Sequence, residues 1–246
     1  TDGYVGGQAV VEYFRGLLLT LKGTSSEAMS VSVKWDGAPA VVCGTNPDNG
    51  QFFVGTKAVF AKAAKINYTK KDIAKNHGTD ELGQKLLKCL VHLKKLNIQG
   101  VVQGDLLFID DSITRKNIDG KPHLTFTPNT ITYAVPEDGE LAKQIDRAKL
   151  GIIFHTTYAG DSLATMNAQG GADVSSFAPS PDVFFDNASY KDVSGSAKFT
   201  ADESQQFYNS IDKLETLLNS VPRDLSSVLG QNTDFVPMFQ MYINAM

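Results

Sequence analysis

The spacing of apolar and polar residues predicts helices that alternate with strands along the chain. Helical apolar spacing occurs in residues 8–22, 79–96, 140–149 and 200–221. The clearest of these signals are the amphipathic pattern of 79–96 and the stretch 200–221. Thr79 is the expected cap of the first, and Thr200 with Glu203 forms the sequence signature of a capping box at the start of the second.

Strand patterns fill most of the remaining chain. Apolar or alternating runs cover residues 30–43, 51–60, 98–110, 123–135 and 150–160. The turn-rich segment 44–50 and the pair Pro128-Asn129 predict two hairpins, whereas the stretch 161–195, rich in Gly, Ser, Asp and Pro, is expected to be irregular. Because hairpins join antiparallel strands, the predicted class is α+β.

Composition restricts the partners more than the fold. The chain has 246 residues and a formal net charge of −4, which gives no overall attraction to nucleic acid. No apolar run is long enough to cross a bilayer, so we expect no membrane partner and a cytoplasmic location. Cys43 and Cys89 show neither a disulfide framework nor a metal-ligand spacing, and reduced thiols are expected.

A local basic excess occurs within this acidic chain. Between Thr56 and Lys75 the only acid is Asp72, and the lysines are Lys57, Lys62, Lys65, Lys70, Lys71 and Lys75. Two interpretations are open, a solvated helix face and a contact surface for nucleic acid or polyphosphate. On the second, the residues expected to contact polynucleotide are Lys62, Lys65, Lys70 and Lys71.

Lys34 stands alone in the apolar run V-S-V-K-W-D-G-A-P-A-V-V at residues 31–42. A lysine amine is a nucleophile only when it is neutral, and partial burial or a second nearby cation favours the neutral form. The predicted hairpin places Lys57 on the neighbouring strand, where it would be that cation. Gly37 would let the backbone bend or approach a ligand closely. The alternative is a surface lysine before a turn.

Four short motifs follow one another in a familiar order. They are K-W-D-G at 34–37, F-V-G-T-K at 53–57, Q-G-D-L-L-F at 103–108 and G-I-I-F-H-T at 151–156. This order, over roughly residues 31–158, resembles the covalent nucleotidyltransferase superfamily of ATP-dependent DNA ligases, RNA ligases and mRNA capping enzymes. With P-N-T-I-T-Y-A-V at 128–135, the whole set looks most similar to RNA-ligase-like proteins of large tailed phages.

The resemblance implies a role for each matching side chain. Lys34 would attack the α-phosphate of a nucleotide and form a lysyl-AMP intermediate. Lys57 would hold phosphate, and Asp105 would contact the ribose or a hydrated metal ion. Phe154 would stack on adenine. Asp36 would orient the turn of the first motif, and it would belong to the nucleotide site.

The resemblance also implies a fold, cofactors and partners. The fold is a ligase-type adenylyltransferase, with twisted antiparallel sheets, flanking helices, a nucleotide cleft that includes Gly37, and an insertion at about residues 110–149. The cofactors are ATP and Mg²⁺, the latter at Asp105, and the substrates are RNA or DNA ends, with RNA favoured. The predicted domains are a nucleotidyltransferase-like domain at 1–199 and a helical segment at 200–246.

Several departures from the superfamily pattern leave the activity open. The third motif has Asp105 where Glu is usual, and His155 occupies an acid position of the next motif, where a core or cleft histidine is expected. A Glu-Gly pair for motif IV and a K-x-K for motif V are both absent. Either the sequence covers the first part of a longer protein, or it is a non-catalytic phage structural or nucleotide-binding protein, for which a virion location is expected. A capping-type guanylyltransferase is a further alternative.

Overall fold

The computed structural model describes residues 3–24, 32–189, 198–221 and 241. The chain divides into a larger unit, Val31–Tyr190, and a smaller unit formed by Thr1–Ser30 and Lys191–Met246. This division differs from the predicted domains at 1–199 and 200–246, because the first helix of the chain belongs with the last one. No helix among the described residues is long and apolar enough to cross a membrane.

The smaller unit contains two long helices, α1 (Gly3–Leu21) and α5 (Ala201–Ser220). They pack through an apolar cluster that includes Val11, Leu18 and Ile211. The predicted capping box of α5 is confirmed, since Thr200 accepts a hydrogen bond from the Glu203 amide and Glu203 accepts one from the Thr200 amide.

The larger unit contains nine strands and three α-helices among its described residues. The strands are β1 (Ala40–Thr45), β2 (Phe52–Gly55), β3 (Val101–Ile109), β4 (Thr114–Ile118), β5 (Lys121–Phe126), β6 (Tyr133–Pro136), β7 (Leu150–Ala159), β8 (Asn167–Gly170) and β9 (Val183–Asn187). The helices are α2 (Lys70–His77), α3 (Glu81–Leu93) and α4 (Glu140–Arg147). The predicted α+β class is therefore confirmed.

The main sheet has the strand order β2-β1-β3-β7-β8, and β9 also pairs with β7. All of its pairings are antiparallel except the parallel pairing of β7 with β9. Strands β4, β5 and β6 form a separate antiparallel sheet. This second sheet and α4 occupy most of the predicted insertion at 110–149, and β5 and β6 are the hairpin predicted around Pro128-Asn129.

The two faces of the main sheet carry different clusters of buried side chains. Val102 and Leu106 of β3 pack with Leu86, Cys89 and other residues of α3 on one face. On the other face the hairpin sheet and α4 form one cluster with Leu107, and a further cluster contains Val101. Because side chains alternate along a strand, the odd-numbered residues 101, 103 and 105 share the face that α3 leaves uncovered.

The structure corrects several local predictions. Strand β1 begins at Ala40 rather than near residue 30, and β2 ends at Gly55, so neither Lys34 nor Lys57 lies on a strand. Thr56 ends β2 because its hydroxyl caps a 3-10 turn by accepting a hydrogen bond from the Ala58 amide. The cap of α3 is Asp80 instead of Thr79. The stretch 161–195, expected to be irregular, contains the short strands β8 and β9.

Candidate functional site

Four polar side chains form a strip across the sheet face opposite α3. This polar strip consists of Gln103 and Asp105 on β3 and His155 and Tyr158 on β7. The Tyr158 hydroxyl donates a 2.7 Å hydrogen bond to Oε1 of Gln103. The His155 Nε2 and Asp105 Oδ1 atoms lie 3.4 Å apart, and the two side chains are 28% and 21% exposed. Both groups can therefore be reached from solvent while they still contact each other.

The strip lies where the regular pairing of the sheet breaks down. Gln103 pairs with Thr156 and Gly104 pairs with Phe154, so His155 is an extra residue, a β-bulge, on β7. On its other edge β7 pairs with β9 up to Phe154 and with β8 from Thr157 onward. Bulges often redirect a side chain next to a functional site. Here the bulge re-aims the imidazole, and Asp105 is the acid in contact with it.

The first motif lies on a segment that crosses this face of the sheet. In this crossing segment, residues 32–39, the Val33 amide donates to the Ala188 carbonyl just after β9, and the Ala38 amide donates to the Leu106 carbonyl on β3. Strand β7 lies between β9 and β3, so the segment passes over it. Trp35 is partly buried and packs against the cluster that contains Ile153 and Leu107.

Gly37 lies directly against the polar strip. A Cβ atom at this position would lie 2.5 Å from Cβ of Asp105 and 2.9 Å from the carbonyl oxygen of Leu106. Real Cβ atoms do not approach that closely, so only glycine allows this contact without displacement. The first and third motifs, far apart in sequence, are thus in direct contact.

Asp36 faces the loop between β5 and β6. Its carboxylate accepts hydrogen bonds from Nδ2 of Asn129 at 2.8 Å and from the backbone amides of Thr130 at 2.7 Å and Ile131 at 2.8 Å. These donors, the Asn129 amide first among them, lower the pKa of Asp36 to about 2. These contacts join the turn of the first motif to the hairpin.

The two lysines assigned to the reaction lie outside regular strands. Lys34 is exposed within the crossing segment, so the predicted burial of its amine in a strand is wrong. Lys57 is also exposed and begins the 3-10 turn Lys57–Phe60 after β2. On β1, Val42 pairs with Gly55 of β2 and Ala40 pairs with Asp105 of β3. Lys57 follows Gly55, so it lies at the same end of the sheet as Asp105.

Phe154 does not line this face, and its predicted role in stacking on adenine is wrong. The side chain is fully buried in the cluster beneath α3, where its ring meets Phe177 edge to face at a centroid distance of 5.4 Å. Aromatic surface on the face of the polar strip comes instead from Phe60 and Tyr158, whose ring centroids are 4.4 Å apart.

The basic segment, residues 57–75, is exposed at each of its lysines. None of these lysines forms an ion pair with another described residue. The segment is not one helix face as the first interpretation assumed, because a 3-10 turn, an irregular stretch and α2 divide it. Asp72, the only acid, is used in the capping box of α2 with Thr69.

Sequence reasoning missed two residues that the structure connects to the first motif. The sequence places Asn129 in a turn and Tyr133 in the strand after it, yet both hydrogen-bond to Asp36. Their only sequence signal was the turn-forming pair Pro128-Asn129. Among the described residues there is no group of three or more His, Cys, Asp or Glu side chains arranged to hold a metal ion.

These features define an α+β protein whose main sheet carries a partly exposed polar strip under a lysine-bearing segment. The chain belongs to a family described as "Family of unknown function (DUF6267)", which matches residues 1–246. No curated protein and no solved structure matches the chain.

Proposed function

We propose that the protein is an ATP-dependent adenylyltransferase of the ligase type that acts on polynucleotide ends, with Lys34 as its nucleophile. One observation carries this proposal. The K-W-D-G segment and the Q-G-D-L-L-F strand, matched to the superfamily separately in sequence, meet where Gly37 contacts Asp105. A chance match of short motifs would not require the two to be in contact.

In the proposed first step, Nζ of Lys34 attacks the α-phosphorus of ATP. A nitrogen–phosphorus bond forms, the bond from that phosphorus to the bridging oxygen breaks, and pyrophosphate leaves with the electron pair. The neutral amine loses one proton to solvent water as the bond forms. The resulting lysyl-AMP would then pass its AMP to a polynucleotide 5′-phosphate, with RNA favoured over DNA, before the ends are joined.

The neighbouring side chains suit the parts of a nucleotide. Lys57, exposed at the same end of the sheet, would pair with the phosphates, and Asp105 would accept a hydrogen bond from the ribose. Tyr158 of the polar strip and the neighbouring Phe60 offer an aromatic surface, and we propose that the base stacks there and not on Phe154.

The oxygen ligands of the polar strip suit Mg²⁺ only when the ion binds together with the phosphates of a nucleotide. Mg²⁺ usually keeps several waters and binds through one or two carboxylates plus substrate phosphates, and Asp105 is the carboxylate beside the crossing segment. Bound with ATP, Mg²⁺ would screen the triphosphate and stabilise pyrophosphate as it leaves.

Incubation with ATP labelled at the α-phosphate tests the proposal. We expect label that survives denaturation in the wild-type protein with Mg²⁺ and none in Lys34→Ala. Lys116→Ala, which removes an exposed lysine from β4, is the matched control and should label normally. Label retained by Lys34→Ala, or no label in the wild type, contradicts the proposal.

A second function, nucleotide binding without chemistry, is favoured by the position of Lys34. Its side chain is exposed in the crossing segment, so the fold supplies none of the burial that would favour a neutral amine. On this alternative, calorimetry would detect ATP binding by the wild type and Asp105→Asn would weaken it, while no covalent label would form.

A further inference from the structure

We infer that the loop between β5 and β6, residues 127–132, together with the start of β6 positions Lys34 for the attack on the nucleotide. Asn129 in the loop and Tyr133 at the start of β6 are the positioning residues. This inference rests on the proposed function, because it assigns a task in that reaction. The superfamily resemblance includes the stretch 128–135 but gives none of its residues a task in the reaction. The task proposed for the loop rests on its contacts with the crossing segment.

The side chain of Asp36 connects the crossing segment to the loop. Its three hydrogen-bond donors among the described residues all belong to the loop, namely Nδ2 of Asn129 and the amides of Thr130 and Ile131. Hydrogen bonds to a charged acceptor are about twice as strong as neutral ones. A carboxylate held from three directions has one orientation, so the backbone at residue 36 is fixed relative to the loop.

Tyr133 makes a second, independent connection. Its hydroxyl accepts a 2.8 Å hydrogen bond from the backbone amide of Asp36. Its ring lies 5.2 Å from that of Trp35 and is stacked on Phe126, with a centroid distance of 5.6 Å. Both the side chain and the backbone of the first motif are thus tied to the hairpin.

The loop itself is well supported. It joins two paired strands, with Phe126 opposite Tyr133 at its base, and the hydroxyls of Thr127 and Thr132 are 2.7 Å apart. Phe126 is buried in the cluster that also contains Ile153 of the main sheet. The loop is therefore anchored to the sheet whose polar strip would receive the nucleotide.

Lys34 lies between two anchor points of the crossing segment. On one side, the Val33 amide is bonded to the Ala188 carbonyl. On the other side, only Trp35 separates Lys34 from Asp36 and its contacts with the loop. The exposed Lys34 side chain has no hydrogen bond or ion pair of its own among the described residues, so its position depends on these two backbone anchors. Losing the second anchor would let the amine drift from its line of attack.

The inference is tested with variants of the loop in the full chain. Asn129→Ala removes one hydrogen-bond donor to the Asp36 carboxylate. Tyr133→Phe removes the hydroxyl that accepts from the Asp36 backbone amide but keeps the ring contacts. Asn117→Ala, an exposed asparagine on β4 of the same sheet, is the matched control. Each variant is assayed for the rate of labelling by ATP at saturation, for nucleotide affinity, and for hydrogen exchange at residues 32–39 and in β1.

We expect Asn129→Ala and Tyr133→Phe to slow labelling about tenfold or more, as small misplacements of reacting groups do. Nucleotide affinity and exchange in β1 should be unchanged, while exchange at residues 32–39 should rise. The double variant Asp36→Asn with Asn129→Asp exchanges amide and carboxylate between the two positions. It should recover part of the rate lost in either single variant, which a merely structural role would not predict.

The outcomes separate the inference from the proposed function. Wild-type protein without label contradicts the proposed function, and the inference falls with it. Label in the wild type together with an unchanged rate in Asn129→Ala and Tyr133→Phe contradicts the inference alone. A slower rate with an equal loss of nucleotide affinity, or with exchange raised in β1 as well, indicates general damage and also contradicts it.

Discussion

At the scale of single residues, the candidate site depends on one glycine and two carboxylates. Gly37 lets the crossing segment touch Asp105, Asp36 ties that segment to the hairpin loop, and Asp105 contacts the imidazole of His155. Each carboxylate has a different partner, so the two acids are not interchangeable. The substitutions that test these roles are correspondingly specific.

Replacing Gly37 with alanine should destabilise the protein by about 1–3 kcal/mol, the usual cost of forcing an extra group into a filled space. The new Cβ would lie 2.5 Å from Cβ of Asp105 unless the backbone moved. Gly170→Ala is the matched control, because nothing lies within 4 Å of its added Cβ. Urea denaturation of both variants measures the difference, and equal stability would mean that the crossing segment does not lie against β3.

Asp105→Asn should weaken ATP binding about tenfold or more, as expected for loss of a hydrogen bond to a charged group. The variant keeps the shape of the side chain but removes its charge. Asp105→Glu restores the residue usual in the superfamily and should be tolerated if the pocket is deep enough, whereas a shallow pocket would make it clash. Isothermal titration with ATP measures both, and wild-type affinity in Asp105→Asn would show that this carboxylate is only structural.

At the scale of elements, α2 has positively charged side chains at its N-terminal end, where the helix dipole disfavours cations. Lys70 and Lys71 are the first residues of the helix, where the backbone dipole is unfavourable for cations by about 0.3–1 kcal/mol each. No described acid pairs with either side chain, so the placement has no compensating ion pair. A placement that costs stability is understandable if these side chains contact an anionic partner.

Changing Lys70 and Lys71 to glutamine should weaken polynucleotide binding equally across sequences. The slope of log affinity against log salt should fall by about 0.7 to 0.9 for each lost phosphate contact. ATP binding should be unchanged, and the melting temperature should stay constant or rise, because the helix dipole is relieved. Lys116→Gln with Lys121→Gln, on the hairpin sheet, is the control pair. An unchanged salt slope would leave the segment as a solvated surface.

The sequence predicted best those elements whose signals come from residues close together in the chain. The capping box of Thr200 and Glu203, the amphipathic α3 and the two hairpins follow from residues close in sequence, and the structure confirms them. Strand β8 was missed because its four residues are all exposed and show no apolar pattern. Strand β9 was missed because it exists through its pairing with β7, where Leu150 pairs with the distant Val183. Pairing between strands far apart in sequence has no local signature.

At the scale of the larger unit, the two faces of the main sheet carry different kinds of side chains. The face under α3 is a continuous apolar core, whereas the opposite face has the polar strip between two apolar clusters. Cys43 and Cys89 both belong to the core under α3 and are fully buried. Burial raises the pKa of Cys89 to about 12 and raises that of Cys43 as well.

Both thiols should therefore resist a thiol-specific reagent in the native protein at about pH 8 and react completely in denaturant. The reactive species is the thiolate, which burial suppresses, and the reagent cannot enter a close-packed core. Spectrophotometric thiol titration with and without denaturant measures this. Fast reaction of either cysteine in the folded protein would contradict the placement of α3 over the sheet.

The sequence by itself determined the α+β class and most of the long elements, because periodicity and turn residues are local properties. It also proposed the motif residues Lys34, Asp36, Gly37 and Asp105. Only the tertiary structure decided which of these residues meet. The pairing of β3 with β7 set the bulge at His155, and the alternation along β7 buried Phe154 under α3. The path of residues 32–39 across the sheet exposed Lys34 and brought Gly37 onto Asp105, because contacts between distant segments are fixed by packing and not by the order of the residues.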